Sequence, residues 1–146
     1  MNGNIQHQLF FTQSPEQVWE YLTDAGLISL WLMENNFMPI PGHEFQFRTR
    51  PLADYDFDGI VYCKVVEIVP FRKLSYSWKS GPGQGRITLD SLVVWTLEPG
   101  EGGTTLYLHH SGFLEGEDPG IFTLMDKGWL ENIKKIAGYL HTAAKK

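Results

Sequence analysis

The most regular pattern of apolar and polar positions lies near the C-terminus and predicts a helix from Asp118 to about Ala144. Apolar residues recur there at steps of three and four, while charged residues fall on the opposite side. Asp118 before Pro119 is a suitable start, because an N-cap carboxylate and a proline at the first helical position both favour helix initiation. Another element must cover the apolar stripe, which consists of Phe122, Met125, Trp129, Ile133, Ile136 and Leu140.

Three glycines, Gly120, Gly128 and Gly138, interrupt this helical pattern. Each lowers the stability of a helix by about 1 kcal/mol relative to alanine. A compensating gain is expected, either from close approach of the helix to a sheet or from room for a ligand beside Trp129. We expect Gly128 and Trp129 to mark the place where packing gives way to a cavity.

The N-terminal part of the chain predicts one strand followed by two short helices. Residues Ile5 to Phe11 alternate loosely between apolar and polar, which is typical of a strand. Ser14 and Gln17 then have the spacing of a capping box, so the first helix is expected to begin there. A second helix ends near Trp31, and helices this short need packing against another element.

From Pro39 to Phe113 the pattern changes to a period of two, with turn residues between the runs. Short glycine- and proline-rich turns between successive strands indicate antiparallel pairing. The run from Gly59 to Val69 alternates less cleanly, so we expect a bulge or burial on both faces. The predicted inward faces carry Phe45 and Phe47, then Leu74, Tyr76 and Trp78, then Val93, Trp95 and Leu97, and finally Leu106, Leu108 and His110.

The order of these elements predicts an α+β fold with about five antiparallel strands between the short helices and the long one. A chain of 146 residues is large enough for a real core and suits one domain. An antiparallel sheet with one apolar face needs one cover, and the C-terminal helix is the cover available. We expect the sheet to curl round this helix and a pocket to form between them.

Short segments along the chain stand in an order and spacing that carry a family resemblance. They are SPEQVW at 14–19, Trp31, PGHEF at 41–45, EIVP at 67–70, LSYSW at 74–78, GTTL at 103–106, HSGF at 110–113, and Gly128-Trp129 with Leu140. Together they resemble the START-like (SRPBCC) superfamily, and within it the family named after the activator of heat shock protein 90 ATPase. The resemblance covers nearly the whole chain.

This resemblance implies a helix-grip fold over residues 1–146. In that fold a curved antiparallel sheet of about six strands holds the long C-terminal helix over a hydrophobic cavity, and two short helices follow the first strand. Proteins of the superfamily bind lipids, polyketides or hormones, or catalyse cyclisations, so the resemblance implies a fold more narrowly than it implies a function.

Composition and charge narrow the classes of function. A formal charge of −5 without clustered lysine and arginine argues against nucleic-acid binding. The single cysteine, Cys63, excludes an internal disulfide, and no secretory leader pattern opens the chain, so a cytoplasmic location is expected. No apolar run approaches the ~18 residues that a membrane-spanning helix needs. Five Trp, six Tyr and nine Phe indicate either an unusually aromatic core or a cavity lined by aromatic side chains.

We predict that the expected cavity binds a ligand. A pocket of roughly 300–1,000 Å³ would suit a flat or lipid-like molecule. The same aromatic residues would also fill an ordinary core, and that alternative stays open for each of them. His110 is either a group that orients the ligand or, more commonly, a hydrogen-bonded core histidine, whereas Arg48 and Arg50 more often mark a solvated strand face. The predicted ligand-binding residues are Trp31, Phe45, Phe47, Tyr76, Trp78, Trp95, His110, Phe113, Met125, Trp129 and Ile133.

The sequence offers no convincing metal site. The pairs His43-Glu44 and His109-His110 are adjacent on predicted strands and point to opposite faces, so neither pair can share one ion without a bulge. The acidic run at 54–59 resembles the start of a calcium loop, but its twelfth position is Val65 rather than glutamate. Cys63 has no CxxC partner and is expected to be an inert structural thiol.

The predicted function is therefore binding of an apolar small molecule or lipid, without a cofactor. The alternative is a co-chaperone-like interaction module that acts on the heat shock protein 90 system, which the family resemblance implies. An enzyme is less favoured, because it would need a convergent polar set around His110. A homodimer stays open.

Overall fold

The computed structural model of this chain describes residues 3–52, 57–113 and 119–144. Its elements follow the predicted order of strand, two short helices, strands and long helix. They are β1 (Gly3–Phe11), α1 (Pro15–Thr23), α2 (Ala25–Trp31), β2 (Glu34–Asn35), β3 (Glu44–Arg48), β4 (Ile60–Val69), β5 (Lys73–Ser80), β6 (Leu89–Gly100), β7 (Gly103–Phe113) and α3 (Pro119–Ala144).

The strands form one curled antiparallel sheet in the order β1-β7-β6-β5-β4-β3-β2. The predicted α+β helix-grip fold is confirmed, with seven strands where about six were expected. The additional strand is β2, whose two residues are too few to show a period in the sequence. The bulge expected in β4 is present, because the pairing of β4 with β5 shifts between Val65 and Glu67.

Helices α1 and α2 form a corner at one end of the sheet. The capping box is confirmed: the Ser14 hydroxyl accepts from the Gln17 backbone N–H at 3.3 Å, and the Gln17 side chain accepts from the Ser14 N–H at 3.1 Å. Asp24 ends α1 and caps α2. The Trp31 indole N–H donates to the Tyr21 carbonyl oxygen at 2.7 Å, which ties the two helices together inside the core.

Helix α3 covers the apolar face of the sheet. It begins at Pro119, and the proposed cap Asp118 lies outside the described residues. The predicted stripe is confirmed as the inner face: Phe122 and Met125 are half-buried, and the remaining members are buried, namely Trp129, Ile133, Ile136 and Leu140.

Polar contacts near both ends of α3 hold it to the rest of the fold. His7 on β1 lies 2.9 Å from the Asp126 carboxylate and 3.0 Å from the Asp126 carbonyl oxygen. Near the other end of the helix, the Tyr139 hydroxyl donates to the Leu30 carbonyl oxygen at 3.1 Å, and its ring stacks on Tyr21. Helix α3 is therefore anchored both to the edge strand and to the helical corner.

Candidate ligand-binding site

The predicted site residues lie together between the sheet and α3. All of them are buried except Met125, which is half-buried. The strand residues point inward as the period of two predicted, and Trp31 and Trp129 reach them from α2 and α3. Whether these residues bind a ligand stays a prediction.

Phe37 belongs to the same cluster, although the sequence reasoning missed it. Its side chain is 4% exposed, and its ring lies 5.0 Å from that of Phe45 and 6.5 Å from that of Tyr76. Residues 36–43 between β2 and β3 have no regular structure, so no period marked Phe37 as an inward residue. The sequence did contain one sign that Phe37 is buried: it is an isolated aromatic residue in a turn-rich segment, with Asn36 before it and Met38-Pro39 after it.

These rings pack edge to face through most of the interior. Trp95 meets Trp31 at 5.8 Å and Trp129 at 5.5 Å with nearly perpendicular planes, and Phe45 meets Tyr76 in the same way at 5.3 Å. Such pairs contribute about 0.5–1.5 kcal/mol each beyond the burial of their area. We call the following set the aromatic layer: Trp31, Phe37, Phe45, Phe47, Tyr76, Trp78, Trp95, His110, Phe113 and Trp129.

The aromatic layer is filled by its own side chains around its centre. A space large enough for water beside a ring would leave that ring partly exposed to the space, yet Trp95 and His110 are both 0% exposed. Native interiors are packed about as densely as organic crystals, so this is the ordinary state of a core. A ligand would therefore have to displace a ring rather than enter an existing void at these positions.

His110 connects the sheet to α3 through a chain of hydrogen bonds. The Trp129 indole N–H can only donate, so His110 Nδ1 accepts it at 3.0 Å and carries no proton. The Ser91 hydroxyl donates to the Trp78 carbonyl oxygen at 2.7 Å, so the 2.8 Å contact between Ser91 and His110 Nε2 has Nε2–H as its donor. The partners thus determine one neutral tautomer of His110.

Protonation of His110 would break this chain. A second ring proton on Nδ1 would face the Trp129 N–H, so that two donors would meet. Burial in apolar surroundings, and secondarily the neighbouring His109, lower the pKa of His110 to about 3. Both ring nitrogens are occupied, so His110 acts as a structural link between β7 and α3 in this state. A catalytic role would require it to release Ser91 or Trp129 first.

Gly112 shapes β7 so that this link can form. The pairing of β7 with β1 shifts between Gly3 and Asn4, which leaves Gly112 as an extra, bulged residue. Its φ is +112°, and a Cβ at this position would lie 2.9 Å from the Cα of Ser91. The bulge also turns Phe113 inward, where its ring lies 4.8 Å from that of His110.

Tyr76 forms the second polar position inside the aromatic layer. Its hydroxyl oxygen accepts the Trp95 indole N–H at 2.9 Å. The hydrogen of the same hydroxyl has no nitrogen, oxygen or sulfur acceptor among the described residues. Burial raises the pKa of Tyr76 above its usual range, so the group keeps this hydrogen at neutral pH. The Tyr76 hydroxyl is consequently a buried group that can still donate one hydrogen bond.

Ser91 was also missed by the sequence reasoning, although a signal existed. Ser91 lies on the same face of β6 as Val93 and Trp95, because it precedes them at steps of two residues. The alternation that predicted those residues to be inward therefore applies to Ser91 too. Its small polar side chain drew no attention by itself. What the alternation could not show is that Ser91 would lie next to His110 of the neighbouring strand.

The other polar candidates lie away from the aromatic layer. Arg48 and Arg50 are exposed, and Arg48 donates to the Gln46 side chain at 2.7 Å, in agreement with a solvated strand face. Cys63 is buried, and burial raises the pKa of its thiol, so it stays protonated.

The helix glycines are explained only in part. A Cβ placed on Gly128 or Gly138 would meet no atom within 4 Å, which excludes close approach to the sheet as the reason for either glycine. Gly128 therefore leaves open space on the flank of α3 beside Trp129. The structure offers no corresponding reason for Gly138, which is exposed.

Two surface clefts have linings in which polar and apolar side chains are mixed. One of about 360 Å³ lies at β3 and β4, and its lining includes Glu44 and Gln46 together with Phe45 and Cys63. The other, of about 430 Å³, lies between β1 and β7 and includes Gln8 and His109. Neither lining is as apolar as the aromatic layer.

The part of the chain that the structure describes contains neither a candidate metal-binding group nor a candidate membrane-spanning helix. No group of three or more His, Cys, Asp or Glu is arranged there to hold a metal ion. Positions 54 and 56 of the acidic run lie outside that part. None of the described helices is long and apolar enough to cross a membrane.

Comparison with known proteins identifies relatives that share this architecture. Residues 12–141 match the sequence model of the family described as "Activator of Hsp90 ATPase homolog 1-like protein". No match was found among curated proteins.

Solved structures match over nearly the whole chain. The crystal structure of protein MLL2253 from Mesorhizobium loti is 29% identical, with a TM-score of 0.84 and coverage of 96% of this chain and 98% of that one. Protein BH1534 from Bacillus halodurans is 25% identical, with a TM-score of 0.72 and coverage of 94% and 99%. The Aha1 dimer from Colwellia psychrerythraea is 19% identical, with a TM-score of 0.73 and coverage of 92% and 93%, which shows a common fold.

Proposed function

Because the chain belongs to the family of activator of Hsp90 ATPase homolog 1-like proteins, as its resemblance indicated, we propose that it binds an apolar small molecule or lipid within the aromatic layer. The observation that carries the proposal is the composition of that layer. Large rings surround a few fixed polar groups, His110 and Tyr76, and this combination is typical of small-molecule sites.

Phe37 is the ring that a ligand would displace at the lowest cost. The other rings of the aromatic layer are carried by strands, by α2 or by α3, whereas Phe37 is carried by the irregular residues 36–43. Segments of this kind open locally with a smaller free energy than strands or helices of the core. Met38 and Ile40, which follow Phe37, are already about half exposed. Movement of residues 36–41 would remove one ring while Gly42 and His43 keep their backbone bonds to Val65 on β4.

A binding experiment with an apolar probe tests this function. We expect 2-ethylnaphthalene to shift the indole N–H signals of Trp95 and Trp129 in NMR spectra of the wild-type protein, because both indoles lie in the aromatic layer. Phe37→Ala should bind the probe at least about tenfold more tightly than the wild-type protein. In the wild-type protein the ligand must first displace the Phe37 ring, whose burial contributes roughly 1.5–3 kcal/mol, and the variant has no such ring to displace.

The matched control is Phe10→Ala, which is the same substitution at a position outside the aromatic layer. Phe10 is 52% exposed. This variant should leave the affinity for the probe unchanged. If neither the wild-type protein nor Phe37→Ala binds 2-ethylnaphthalene or a fatty acid, the proposed function is wrong. Native mass spectrometry of the protein with fatty acids covers the lipid alternative.

A second candidate function follows from the description of the family that residues 12–141 match. It is a co-chaperone-like interaction with heat shock protein 90 that would use the outer surface rather than the interior. Adding the protein to the purified chaperone should then raise its rate of ATP hydrolysis. An unchanged rate, together with a pulldown that recovers no chaperone, would exclude this candidate while leaving ligand binding untouched.

A further inference from the structure

We infer that the ligand carries a carbonyl oxygen, or an equivalent hydrogen-bond acceptor, which takes the unused hydrogen of the Tyr76 hydroxyl. This inference rests on the proposed function and specifies its ligand: a flat apolar molecule with an acceptor oxygen, rather than a pure hydrocarbon. Tyr76 would act as a binding residue that determines specificity.

The hydrogen of the Tyr76 hydroxyl is unused although the side chain is buried. Three buried indole N–H groups donate inside the fold: Trp31 to a carbonyl oxygen, Trp129 to His110 and Trp95 to Tyr76. The Tyr76 hydroxyl accepts one of these bonds but donates none among the described residues, whereas the Ser91 hydroxyl beside His110 donates its hydrogen to a carbonyl oxygen. Buried polar groups are nearly always satisfied, because an unused donor loses its bond to water without replacement.

Among the described residues, no nitrogen, oxygen or sulfur atom accepts the hydrogen of the Tyr76 hydroxyl. The side chain is 3% exposed, so bulk water does not reach it. The groups packed on its ring are Phe37, Phe45 and Phe47, with centroids 6.5, 5.3 and 6.1 Å away. Aromatic faces accept hydrogen bonds only weakly. The hydroxyl therefore stays available to an incoming acceptor.

The position of Phe37 determines where a ligand would lie relative to Tyr76. Phe37 contacts Tyr76 directly, and it is the ring that we expect a ligand to displace. A ligand that takes the place of Phe37 comes to lie against Tyr76. An acceptor oxygen on that ligand would take the unused hydrogen of the Tyr76 hydroxyl, whereas a hydrocarbon would leave it unused.

The test compares two probes of nearly the same shape, 2-acetylnaphthalene and 2-ethylnaphthalene, which differ in the carbonyl oxygen. Tyr76→Phe alone is ambiguous, because it leaves the Trp95 N–H free to donate to the ketone. The decisive pair is therefore Trp95→Phe, which keeps the hydroxyl, and Trp95→Phe with Tyr76→Phe, which removes it. The preference for the ketone should fall roughly twofold to tenfold from the first variant to the second, as expected for one neutral hydrogen bond.

A measurement on the wild-type protein covers the case in which either variant fails to fold. The carbonyl stretching band of bound 2-acetylnaphthalene should move to lower frequency than in a hydrocarbon solvent, because a hydrogen bond from a phenol weakens the C=O bond.

The outcomes separate the two proposals. If 2-ethylnaphthalene binds but the ketone gains nothing from the hydroxyl and its band stays at the hydrocarbon value, the inference about Tyr76 is overturned and the proposed function stands. If neither probe binds, the inference about Tyr76 is overturned, and the proposed function is overturned as well if fatty acids also fail to bind.

Discussion

The stability of this protein should depend on pH through His110, and the change that isolates this dependence is His110→Gln. Glutamine can accept from the Trp129 N–H and donate to Ser91, as the neutral imidazole does, but it does not titrate. His109, the next residue on β7, faces outward and is exposed, so His109→Gln is the matched control.

The magnitude follows from the difference between the folded and unfolded states. The pKa of His110 is lowered from 6.5 to about 3, chiefly by burial. Between these values the unfolded chain binds one more proton than the folded chain, so the free energy of unfolding falls as the pH falls. The stabilisation is fully present above pH 6.5 and decreases by about 1.4 kcal/mol per pH unit below it. From pH 7.5 to 4.5 the loss amounts to about 2.5 kcal/mol.

Urea denaturation followed by tryptophan fluorescence at several pH values measures this loss. The wild-type protein and His109→Gln should both show it in addition to the acid destabilisation shared by all variants, whereas His110→Gln should show only the shared part. Equal pH slopes for the wild-type protein and His110→Gln would refute the reasoning, because His110 would then be protonated in the folded protein without breaking its bond to Trp129.

Three other changes test the packing, the backbone and the helix cap. Trp129→Ala should lower the free energy of unfolding by about 3–5 kcal/mol, because the ring is packed on Trp78 and Trp95. Chemical denaturation measures this loss, and a value below about 2 kcal/mol would instead place the ring beside a space for a ligand. Gly128→Ala should raise the unfolding free energy by up to about 1 kcal/mol, since alanine favours the helix and its Cβ meets no atom; a lower melting temperature would contradict this. Ser14→Ala should cost about 1 kcal/mol through loss of the capping box, and a variant as stable as the wild-type protein in thermal unfolding would show that the cap contributes nothing.

Much of the fold was predictable because the relevant patterns are local. Alternation on β5 and β6 placed Tyr76, Trp78 and Trp95 inward, and the three-and-four spacing on α3 did the same for Trp129 and Ile133. Each of these patterns depends only on the geometry of one element. The two-residue strand β2 was missed because so short an element has no period.

The connections within the candidate site were not predictable, because they join residues far apart in sequence. Ser91 and Trp129 each lie 19 positions from His110, and both reach it because neighbouring strands and α3 bring them together. The bulge at Gly112 shifts the alternation by one position, and glycine alone did not reveal whether a turn or a bulge would form there. Phe37 escaped notice because an irregular segment provides no face to which a residue can be assigned.

The pairing of β1 with β7 has a consequence for the order in which the chain folds. Residues 4–11 find their partners only at 104–111, so nearly a hundred residues must be synthesised before the first strand can join the sheet. Contacts of such long sequence separation slow folding, since the entropy of closing a large loop is lost before any contact compensates it. During synthesis, the apolar face of β1 therefore stays exposed to solvent. Ile5 and Phe11 become buried only after β7 has left the ribosome. A ribosome-bound chain arrested before residue 104 should accordingly expose this strand to chaperones and proteases, and one extended through α3 should protect it.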